Sequence, residues 1–316
     1  MTSKNLWTIC FLLMFILIVV IGQGVYASEK SVKWSVAGVK TELPQLNKES
    51  LAKPPQKRPD SKDPNINSKA AILIDVESFK TLYQENSDLK VPIASTTKIM
   101  TALVVLEDYP DKMNDIVSLT GEMVNVEGSD AQLRSSEKIS VENLLKGALI
   151  VSGNDAAYSL ASYLGGKDQF VNKMNEKAKY LGLNDTSYKD PAGLNDEGYS
   201  SANNLAILGA YALRNNTFAD IVKTPEVTVV SSDGAVVHDF KSSNRMLRTE
   251  EQYYYPFAIG IKTGFTLEAG HCLVSAAEKD GHRLVAVVLN TNENTVTASA
   301  KESRKLLDWG FNNWVW

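Results

Sequence analysis

The distribution of apolar and polar positions divides the chain into four parts. Residues 6–21 form a long apolar run, and residues 28–68 are rich in lysine, proline, asparagine, aspartate and serine with little apolar periodicity. Apolar residues in the middle of the chain recur at helical spacing, whereas from residue 226 onward short apolar runs indicate strands. The pattern therefore predicts a leader, a flexible spacer and a folded region that combines helices with a sheet.

The same spacing predicts individual elements, and together they indicate an α/β fold of the α+β type. Helices are predicted between Ser95 and Pro110 and over residues 141–149, 168–181, 203–214 and 295–309. The helix at residues 141–149 runs into residues 151–157, after which an apolar helical face continues to Gly165-Gly166. Strands are predicted over residues 70–75, 81–83, 227–230, 258–262, 271–277 and 283–289, the first two as a hairpin. Asp280-Gly281 is a hairpin turn between the last two strands, because both residue types accept tight-turn dihedrals.

Composition narrows the classes of partner and cofactor. The chain has 33 lysines and arginines against 37 aspartates and glutamates, with no basic stripe, so a nucleic-acid partner has no electrostatic support. Its two cysteines, Cys10 and Cys272, are not expected to form an internal disulfide, and Cys272 has the context of a buried strand residue. The histidines His238, His271 and His282 lack metal-ligand spacing. We therefore expect no metal and no other cofactor.

The N-terminal pattern predicts export. Lys4 precedes the apolar run, and Val25-Tyr26-Ala27 offers small residues of the kind that a signal peptidase reads. Residues 1–27 are therefore interpreted as a signal peptide, with an uncleaved membrane anchor as the alternative, since about 17–25 apolar residues can span a bilayer. Residues 28–68 are predicted to be a spacer, and residues 69–316 the folded domain.

One short stretch carries candidate chemistry. Ser95 and Lys98 lie three residues apart at the start of a predicted helix, so both side chains lie on one helix face. A serine hydroxyl needs a base within hydrogen-bond reach to act as a nucleophile, and a lysine amine can be that base. The helix N-terminus also favours the negative charge that develops in acyl transfer. The alternative is that Ser95 only caps its helix.

The Ser-x-x-Lys spacing is not specific alone. It occurs at Ser50/Lys53, Ser87/Lys90, Ser95/Lys98 and Ser135/Lys138. Only the Ser95 copy is flanked by apolar residues and leads directly into an apolar helix, whereas the other copies lie among polar, turn-forming residues. Sequence context therefore favours Ser95 as the candidate nucleophile.

Two further motifs follow in chain order. Ser152-Gly153-Asn154 places a hydroxyl and an amide at a helix boundary, and Lys262-Thr263-Gly264 comes at the end of a strand-like run. A lysine and a threonine can hold a substrate carboxylate, and a glycine lets another backbone approach closely. Together with Ser95 and Lys98 they form the Ser-x-x-Lys, Ser-x-Asn and Lys-Thr-Gly set of the penicillin-interacting serine enzymes.

Within that group the chain resembles the D-alanyl-D-alanine carboxypeptidases, the low-molecular-mass penicillin-binding proteins of serine peptidase family S11. The likeness covers roughly residues 69–309 and includes further motifs. These are Ala94-Ser95-Thr96-Thr97-Lys98-Ile99-Met100-Thr101, Asp190-Pro191-Ala192-Gly193-Leu194, Ser243-Asn244-Arg245-Met246-Leu247 and Gly260-Ile261-Lys262-Thr263-Gly264-Phe265-Thr266. The resemblance implies a β-lactamase/DD-peptidase-like fold, with an antiparallel sheet flanked by helices beside an all-helical region.

The resemblance also implies the chemistry. Ser95 would be acylated by the penultimate D-alanine of a peptidoglycan stem peptide and release the terminal D-alanine, with Lys98 as base and Ser152 as proton relay. Burial and the nearby cation of Lys262 would lower the pKa of Lys98. β-lactams would be covalent inhibitors. The expected location is the extracytoplasmic face of a bacterial cell membrane or the cell wall.

Substrate binding is implied for the remaining motif residues. Asn154 would bind the substrate backbone, Lys262 and Thr263 would hold the terminal carboxylate, and Gly264 would admit a close backbone. The backbone N–H groups of Ser95 and Phe265 would form the oxyanion hole. Arg245 would support the carboxylate site, with an exposed structural arginine as the alternative.

Three other functions share these residues. A class A β-lactamase needs an additional glutamate, usually in a Glu-x-x-Leu-Asn setting, and no such match lies between Ser152 and Lys262. A peptidoglycan endopeptidase uses the same site on a longer substrate, and a catalytically silent envelope scaffold would keep the fold alone. Many relatives carry a second, β-rich domain and a C-terminal membrane-binding helix, so for this chain, which stops soon after residue 311, we expect tethering through the N-terminal segment.

Overall fold

The computed structural model describes residues 52–316, and a five-stranded antiparallel sheet lies at the centre of this part. Its strands are β2 (Ser68–Asp75), β3 (Thr81–Glu85), β8 (Ala258–Thr266), β9 (Gly270–Lys279) and β10 (His282–Thr291). They are arranged in the order β3-β2-β10-β9-β8. Strand β8 therefore lies at one edge, where its outer side can meet other segments.

Both faces of the sheet are buried, because successive strand residues point to opposite sides. Leu284 belongs to an apolar cluster that includes Leu306 of the C-terminal helix α8 (Ala298–Asn313), whereas its neighbour Val285 belongs to a second cluster that includes Leu205. All four side chains are fully buried. This explains why β10 has a continuous apolar sequence instead of an alternating one.

The remaining helices form a layer on the second face and extend beyond it. They are α1 (Lys98–Asp108), α2 (Gly121–Val124), α3 (Val141–Leu149), α4 (Asn154–Tyr163), α5 (Lys167–Tyr180), α6 (Ala202–Ala212) and α7 (Asn216–Val222). Helix α6 contacts β2 and β10, and α1 lies among α3, α5 and α6. Because α1 is enclosed on all sides, every residue from Lys98 to Leu106 is buried.

Short antiparallel strand pairs complete the described part. They are β4 (Ile116–Ser118) with β5 (Lys138–Ser140), β6 (Glu226–Val230) with β7 (Val237–Lys241), and β1 (Gln56–Lys57) with β11 (Trp314–Val315). The last pair joins the two ends of the described chain.

The predicted boundary of the folded domain at residue 69 is too late. Strand β1 pairs with β11, the indole Nε1 of Trp309 donates a hydrogen bond to the carbonyl of Lys62 (2.6 Å), and Ile66 is only 5% exposed. The aromatic C-terminus recruits this stretch although its own sequence is polar. The flexible-spacer interpretation is therefore wrong for the segment from β1 to residue 68, and residues 1–51 lie outside the described part.

Most predicted elements are present. The hairpin of β2 with β3 is confirmed, and so is the turn at Asp280-Gly281, where both residues have positive φ (53° and 79°). Strand β8 is longer than predicted and contains the Lys262-Thr263-Gly264 motif within it. Strand β7 and helix α7 were not predicted. Within residues 52–316, no helix has both the length and the apolar content required to cross a bilayer.

Candidate active site

Ser95 lies in a 3₁₀ turn, Ala94–Thr97, that leads directly into α1. Ala94 has a φ of 47°, in the left-handed region that few residues with side chains adopt. Ser95 is partly exposed, whereas the side chain of Lys98, at the first position of α1, is completely buried. Ser95 thus stands at the N-terminal end of α1, where it was predicted.

The amine of Lys98 is surrounded by three oxygen atoms. Its Nζ lies 2.7 Å from Ser95 Oγ, 2.7 Å from Asn154 Oδ1 and 3.0 Å from the carbonyl oxygen of Ala192. A neutral amine has two N–H groups and one lone pair. When the two N–H groups donate to Asn154 and Ala192, the lone pair faces Ser95 Oγ and can accept the hydroxyl proton.

Burial allows a large fraction of Lys98 to be neutral near physiological pH. It lowers the pKa of Lys98 from its ordinary value of 10.5 to about 7, while the carboxylates of Asp190 and Asp155 act in the opposite direction. A base with a pKa near the working pH is well suited to proton transfer, because it is available in its basic form and still holds a proton well.

Lys262 is the second buried lysine of the site. Its ammonium donates to the carbonyl of Thr263 at 3.0 Å, and its pKa lies well below the ordinary value because of burial and, second, the nearby charge of Lys98. Both burial and the charge of Lys262 were expected to lower the pKa of Lys98. In the structure, burial is the main cause of the low pKa of Lys98. The repulsion between the two amines instead lowers the pKa of Lys262.

The edge strand β8 passes Ser95 at backbone contact. A Cβ atom at Gly264 would lie 2.9 Å from the carbonyl oxygen of Ile93 and 3.1 Å from the backbone nitrogen of Ser95. Only a residue without a side chain fits there unless the neighbouring backbone moves. The next residue, Phe265, is 49% exposed and stacks on His271 with ring centroids 4.4 Å apart. The N–H groups of Ser95 and Phe265 therefore belong to adjoining segments.

Strand β8 forms one wall of the site, the sheet wall. The opposite wall, the helical wall, begins with the Ser-x-Asn motif at the start of α4. Asn154 is buried and binds Lys98 through Oδ1 while its Nδ2 donates to the carbonyl of Glu127 at 2.7 Å. Ser152 has a φ of 69° and is also buried. Such strained backbone occurs often at active sites, where surrounding contacts hold it. Here the strained residue, Ser152, places its side chain on the same wall as the side chain of Asn154.

A carboxylate holds the loop that supplies the Ala192 carbonyl. Asp190 is 3% exposed and accepts hydrogen bonds from the backbone N–H groups of residues 192–195 at 2.7 to 3.2 Å. Gly193 in this loop has a φ of 79°, and a Cβ atom there would overlap the carbonyl of Ala94 at 1.9 Å. The loop therefore packs directly against the turn that carries Ser95.

A cavity of about 430 Å³ lies between the two walls. Its lining includes Ser95, Ser152, Ser243, Arg245, Thr263, Gly264 and Phe265. The hydroxyls of Ser243 and Thr263 are 2.8 Å apart, and Arg245 forms an ion pair with Glu251 at 2.6 Å. The predicted catalytic serines and four predicted binding residues thus share one cavity, and Lys98, Asn154 and Lys262 are buried beside it.

The site also contains residues to which the sequence assigned no role. Asp190 and Ala192 occur in a quoted motif, and Ser243 in another, but no pattern indicated that Asp190 would bind backbone or that Ala192 would contact Lys98. Asp155 anchors the neighbouring loop through the N–H groups of Ala131 and Leu133. The aspartate in an Asp-Pro-x-Gly turn was the available signal, because aspartate side chains cap turns.

A serine paired with a buried lysine of near-neutral pKa, between a sheet edge and a helical region, is typical of serine enzymes that act through an acyl-enzyme. The sequence model of the family described as Peptidase S11, D-alanyl-D-alanine carboxypeptidase, matches residues 56–293, and the chain belongs to this family. The resemblance inferred from the motifs is confirmed.

Known proteins show the same likeness. D-alanyl-D-alanine carboxypeptidase DacF of Bacillus subtilis is 36% identical over 252 residues, which are 78% of this chain and 63% of that protein. A D-alanyl-D-alanine endopeptidase of Pseudomonas aeruginosa is 36% identical over 265 residues, covering 82% of this chain and 83% of the relative. The crystal structure of the Streptomyces K15 DD-transpeptidase superposes with a TM-score of 0.74 at 31% identity, over 79% of this chain and 99% of the other. The predicted fold class is confirmed.

Proposed function

We propose that the chain is a serine-type D-Ala-D-Ala carboxypeptidase that removes the terminal D-alanine from peptidoglycan stem peptides. Family membership and the names of the relatives support this reaction. One observation carries the mechanism: the buried amine of Lys98 lies 2.7 Å from Ser95 Oγ and has a pKa of about 7. A hydroxyl in contact with such a base is an activated nucleophile.

Acylation begins with Ser95. Its hydroxyl transfers the proton to neutral Lys98 Nζ as Oγ bonds to the carbonyl carbon of the penultimate D-alanine. The carbonyl oxygen becomes an oxyanion, which accepts hydrogen bonds from the backbone N–H groups of Ser95 and Phe265. Losing one such donor typically costs about 2.7–4 kcal/mol in the barrier.

Breakdown of the tetrahedral intermediate breaks the C–N bond to the terminal D-alanine. The leaving amine needs a proton, which passes from Lys98 Nζ through the hydroxyl of Ser152. A water molecule then attacks the ester on Ser95 and gives one proton to Lys98, which is neutral at this stage. As the bond between the carbonyl carbon and Ser95 Oγ breaks, Lys98 returns that proton to Oγ. The products are D-alanine and the shortened stem peptide, and the enzyme returns to its initial protonation state.

Recognition uses the sheet wall for the carboxylate and the helical wall for the peptide backbone. Lys262, Thr263 and Arg245 bind the terminal carboxylate, and Asn154 binds a backbone amide of the substrate. The pKa of Lys262 is low in the free site because of burial and, second, the charge of Lys98. A bound carboxylate supplies the opposite charge and so favours the protonated amine. β-lactams acylate the same serine, and the resulting ester is hydrolysed slowly.

We place the reaction outside the cytoplasmic membrane, where stem peptides are exposed. Residues 1–27 serve as the export signal or as an uncleaved anchor, and residues 28–51 are the spacer. These segments lie outside the described residues, and their apolar and polar composition supports the proposal. A mature protein that starts at Ser28 and is recovered free of membranes would exclude the anchor.

Intact mass spectrometry tests the proposed reaction. The purified chain is incubated with a β-lactam and, separately, with a peptide that ends in D-Ala-D-Ala, with Ser95→Ala as the control. We expect a stable adduct on Ser95 and loss of one alanine from the peptide, and neither with the variant. Rapid turnover of the β-lactam with an intact peptide would instead identify a β-lactamase. No reaction with either compound would identify a silent scaffold.

A second candidate is the cleavage of peptidoglycan cross-links. It is favoured by the Pseudomonas aeruginosa relative, named an endopeptidase, which matches this chain at the same identity as the carboxypeptidase DacF. Incubation with a cross-linked dimeric muropeptide distinguishes the two reactions. A carboxypeptidase releases alanine and leaves the dimer intact, whereas an endopeptidase produces two monomers.

A further inference from the structure

The oxyanion donor Phe265 lies close to the end of an edge strand. Strand β8 has β9 as its neighbour in the described sheet, and it ends at Thr266, one residue after Phe265. The proposed reaction uses the backbone N–H of Phe265, and an N–H that points out of the sheet edge gives no hydrogen bond to β9. The ladder therefore does not by itself fix this donor.

The side chain of His271 contacts Phe265 from the neighbouring strand. The two residues are directly opposite in the register of β8 and β9, and their rings stack with centroids 4.4 Å apart at an interplanar angle of 30°. Aromatic pairs usually have centroids about 4.5–7 Å apart, so this contact is at the short end of the range. Opposite side chains approach most closely where an antiparallel pair exchanges no ladder hydrogen bonds, which agrees with an outward N–H at Phe265.

His271 is itself held by a second side chain. The pairing of β10 with β9 covers Leu273 to Lys279, so His271 lies beyond it. Asn294, from the segment after β10, forms a hydrogen bond with the imidazole. Phe265, His271 and Asn294 all line the cavity that contains Ser95. A row of side-chain contacts therefore runs along the cavity wall and ends at the oxyanion donor.

We propose that His271 is a positioning residue for the reaction: its ring stacks on the ring of Phe265 and so holds the backbone N–H of Phe265 at the oxyanion. Oxyanion donors act because they are fixed in place before the charge develops. The inference rests on the proposed function, since that reaction is what uses the Phe265 N–H.

The imidazole acts here through its shape and not through its charge. Burial lowers the pKa of His271 below its ordinary value of 6.5, while the hydrogen bond with Asn294 acts in the opposite direction. The ring is therefore mostly neutral at physiological pH. A phenyl ring at this position should then replace the imidazole, which makes the proposal testable by a conservative substitution.

The test measures acylation of Ser95 by a β-lactam in stopped flow, where the concentration dependence separates noncovalent binding from the acylation step. His271→Ala removes the stack, and the acylation rate constant should fall by about tenfold, since small displacements of a donor are costly. His271→Phe keeps a ring and should restore the rate constant to within about twofold. Noncovalent binding should be unchanged in both variants.

A double-mutant cycle distinguishes the stack from a general loss of structure. Phe265→Ala removes the other ring and keeps the backbone N–H, so it should slow acylation about as much as His271→Ala does. Because the two rings act as one unit, the double variant should also be about tenfold slower than the unaltered chain, and not about a hundredfold slower.

His282→Ala is the matched control. His282 stacks on Trp316 with ring centroids 4.7 Å apart, and neither ring lines the active-site cavity, so this variant should acylate at the unaltered rate. Three results would overturn the positioning role and leave the proposed reaction intact: a loss in His271→Ala no larger than in the control, a slow His271→Phe variant, or single losses that multiply in the double variant. An unaltered chain that is not acylated would overturn the proposed function and the positioning role together.

Discussion

The two walls of the active site are held in place by different kinds of bonding. On the sheet wall, β8 is paired with β9 from Ala258 to Thr266, so backbone hydrogen bonds run past Lys262 and Gly264. On the helical wall, the loops are held by side chains. Asp155 and Asp190 each accept several backbone N–H groups from loop residues, and Lys98 and Asn154 connect these loops to the nucleophile.

Because the two walls are held differently, substitutions in them should have different effects on substrate binding, activity and stability. A backbone ladder does not depend on any one side chain, so substitutions on the sheet wall should change substrate binding with little loss of stability. The helical wall depends on single buried carboxylates, and removing one leaves several backbone donors without partners. Substitutions there should affect stability and activity together, except at Lys98, whose charge the fold does not require.

The largest effect is expected for Lys98→Met. Because general bases typically contribute about 10²–10⁴-fold, acylation by a β-lactam should slow by about a thousandfold. The melting temperature should not fall, since methionine fills a similar volume without the cost of a buried amine. Stopped-flow acylation and thermal unfolding measure the two effects. Lys146→Met, which removes a surface ion pair with Glu142, is the control and should retain full activity. Fast acylation by the Lys98 variant would contradict the account.

Asp190→Ala tests the helical wall. Four backbone N–H groups lose their acceptor, and each unsatisfied buried donor costs about 1–3 kcal/mol before water enters. The unfolding free energy should fall by about 3 kcal/mol in urea denaturation, and acylation should slow because the Ala192 carbonyl moves away from Lys98. Asp185→Ala, which removes a surface ion pair with Lys90, should cost about 0–1 kcal/mol. Equal losses in the two variants would mean that the loop is held in another way.

Gly264→Ala tests the sheet wall. The added methyl group lies 2.9 Å from the Ile93 carbonyl and 3.1 Å from Ser95 nitrogen, so the strand and the nucleophile turn must separate by a few tenths of an ångström. We expect acylation to slow by about 10- to 100-fold with little change in stability, because a small displacement of donors and nucleophile is costly. In the control Gly121→Ala, the methyl group meets its nearest neighbour at 3.5 Å. An active Gly264 variant would show that close approach is not required.

Thr263→Val should have the smallest effect. It removes a hydroxyl that lies 2.8 Å from Ser243 Oγ and lines the active-site cavity, while the side chain keeps its shape. Loss of one hydrogen bond to a carboxylate is worth about 1.5–3 kcal/mol, so kcat/KM for a D-Ala-D-Ala peptide should fall by about tenfold or more. A substrate amidated at its C-terminus provides the comparison. If kcat/KM of the variant falls equally for both substrates, Thr263 does not bind the carboxylate.

Most strands of the sheet and two of its hairpins could be predicted from the sequence because they follow local patterns. The continuous apolar run of β10 and the turn at Asp280-Gly281 are local signals that tertiary contacts do not change. Strand β1 could not be predicted, since its pairing depends on the aromatic C-terminus, more than 240 residues away. Strand β7 was missed because its burial alternates over only five residues.

The active site also contains both residues that the sequence predicts and residues that it does not. Ser95, Ser152 and Lys262 stand in short motifs, and the sequence places each near the chemistry. The Asp-Pro-x-Gly sequence indicates that Asp190 caps a turn, but it does not indicate that the Ala192 carbonyl contacts Lys98, because that contact depends on tertiary packing. The cause of the low pKa of Lys98 was also only partly predicted, since the extent of burial is a property of the packed helix layer around α1.

The most direct test of the account is the pH dependence of acylation of Ser95 by a β-lactam. Below pH 7 the amine of Lys98 is protonated and has no lone pair for the serine proton, whereas above pH 7 it is neutral. The second-order rate constant should therefore rise about tenfold per pH unit below pH 7 and level off above it. A rate that is the same from about pH 5 to 9 would contradict Lys98 as the base.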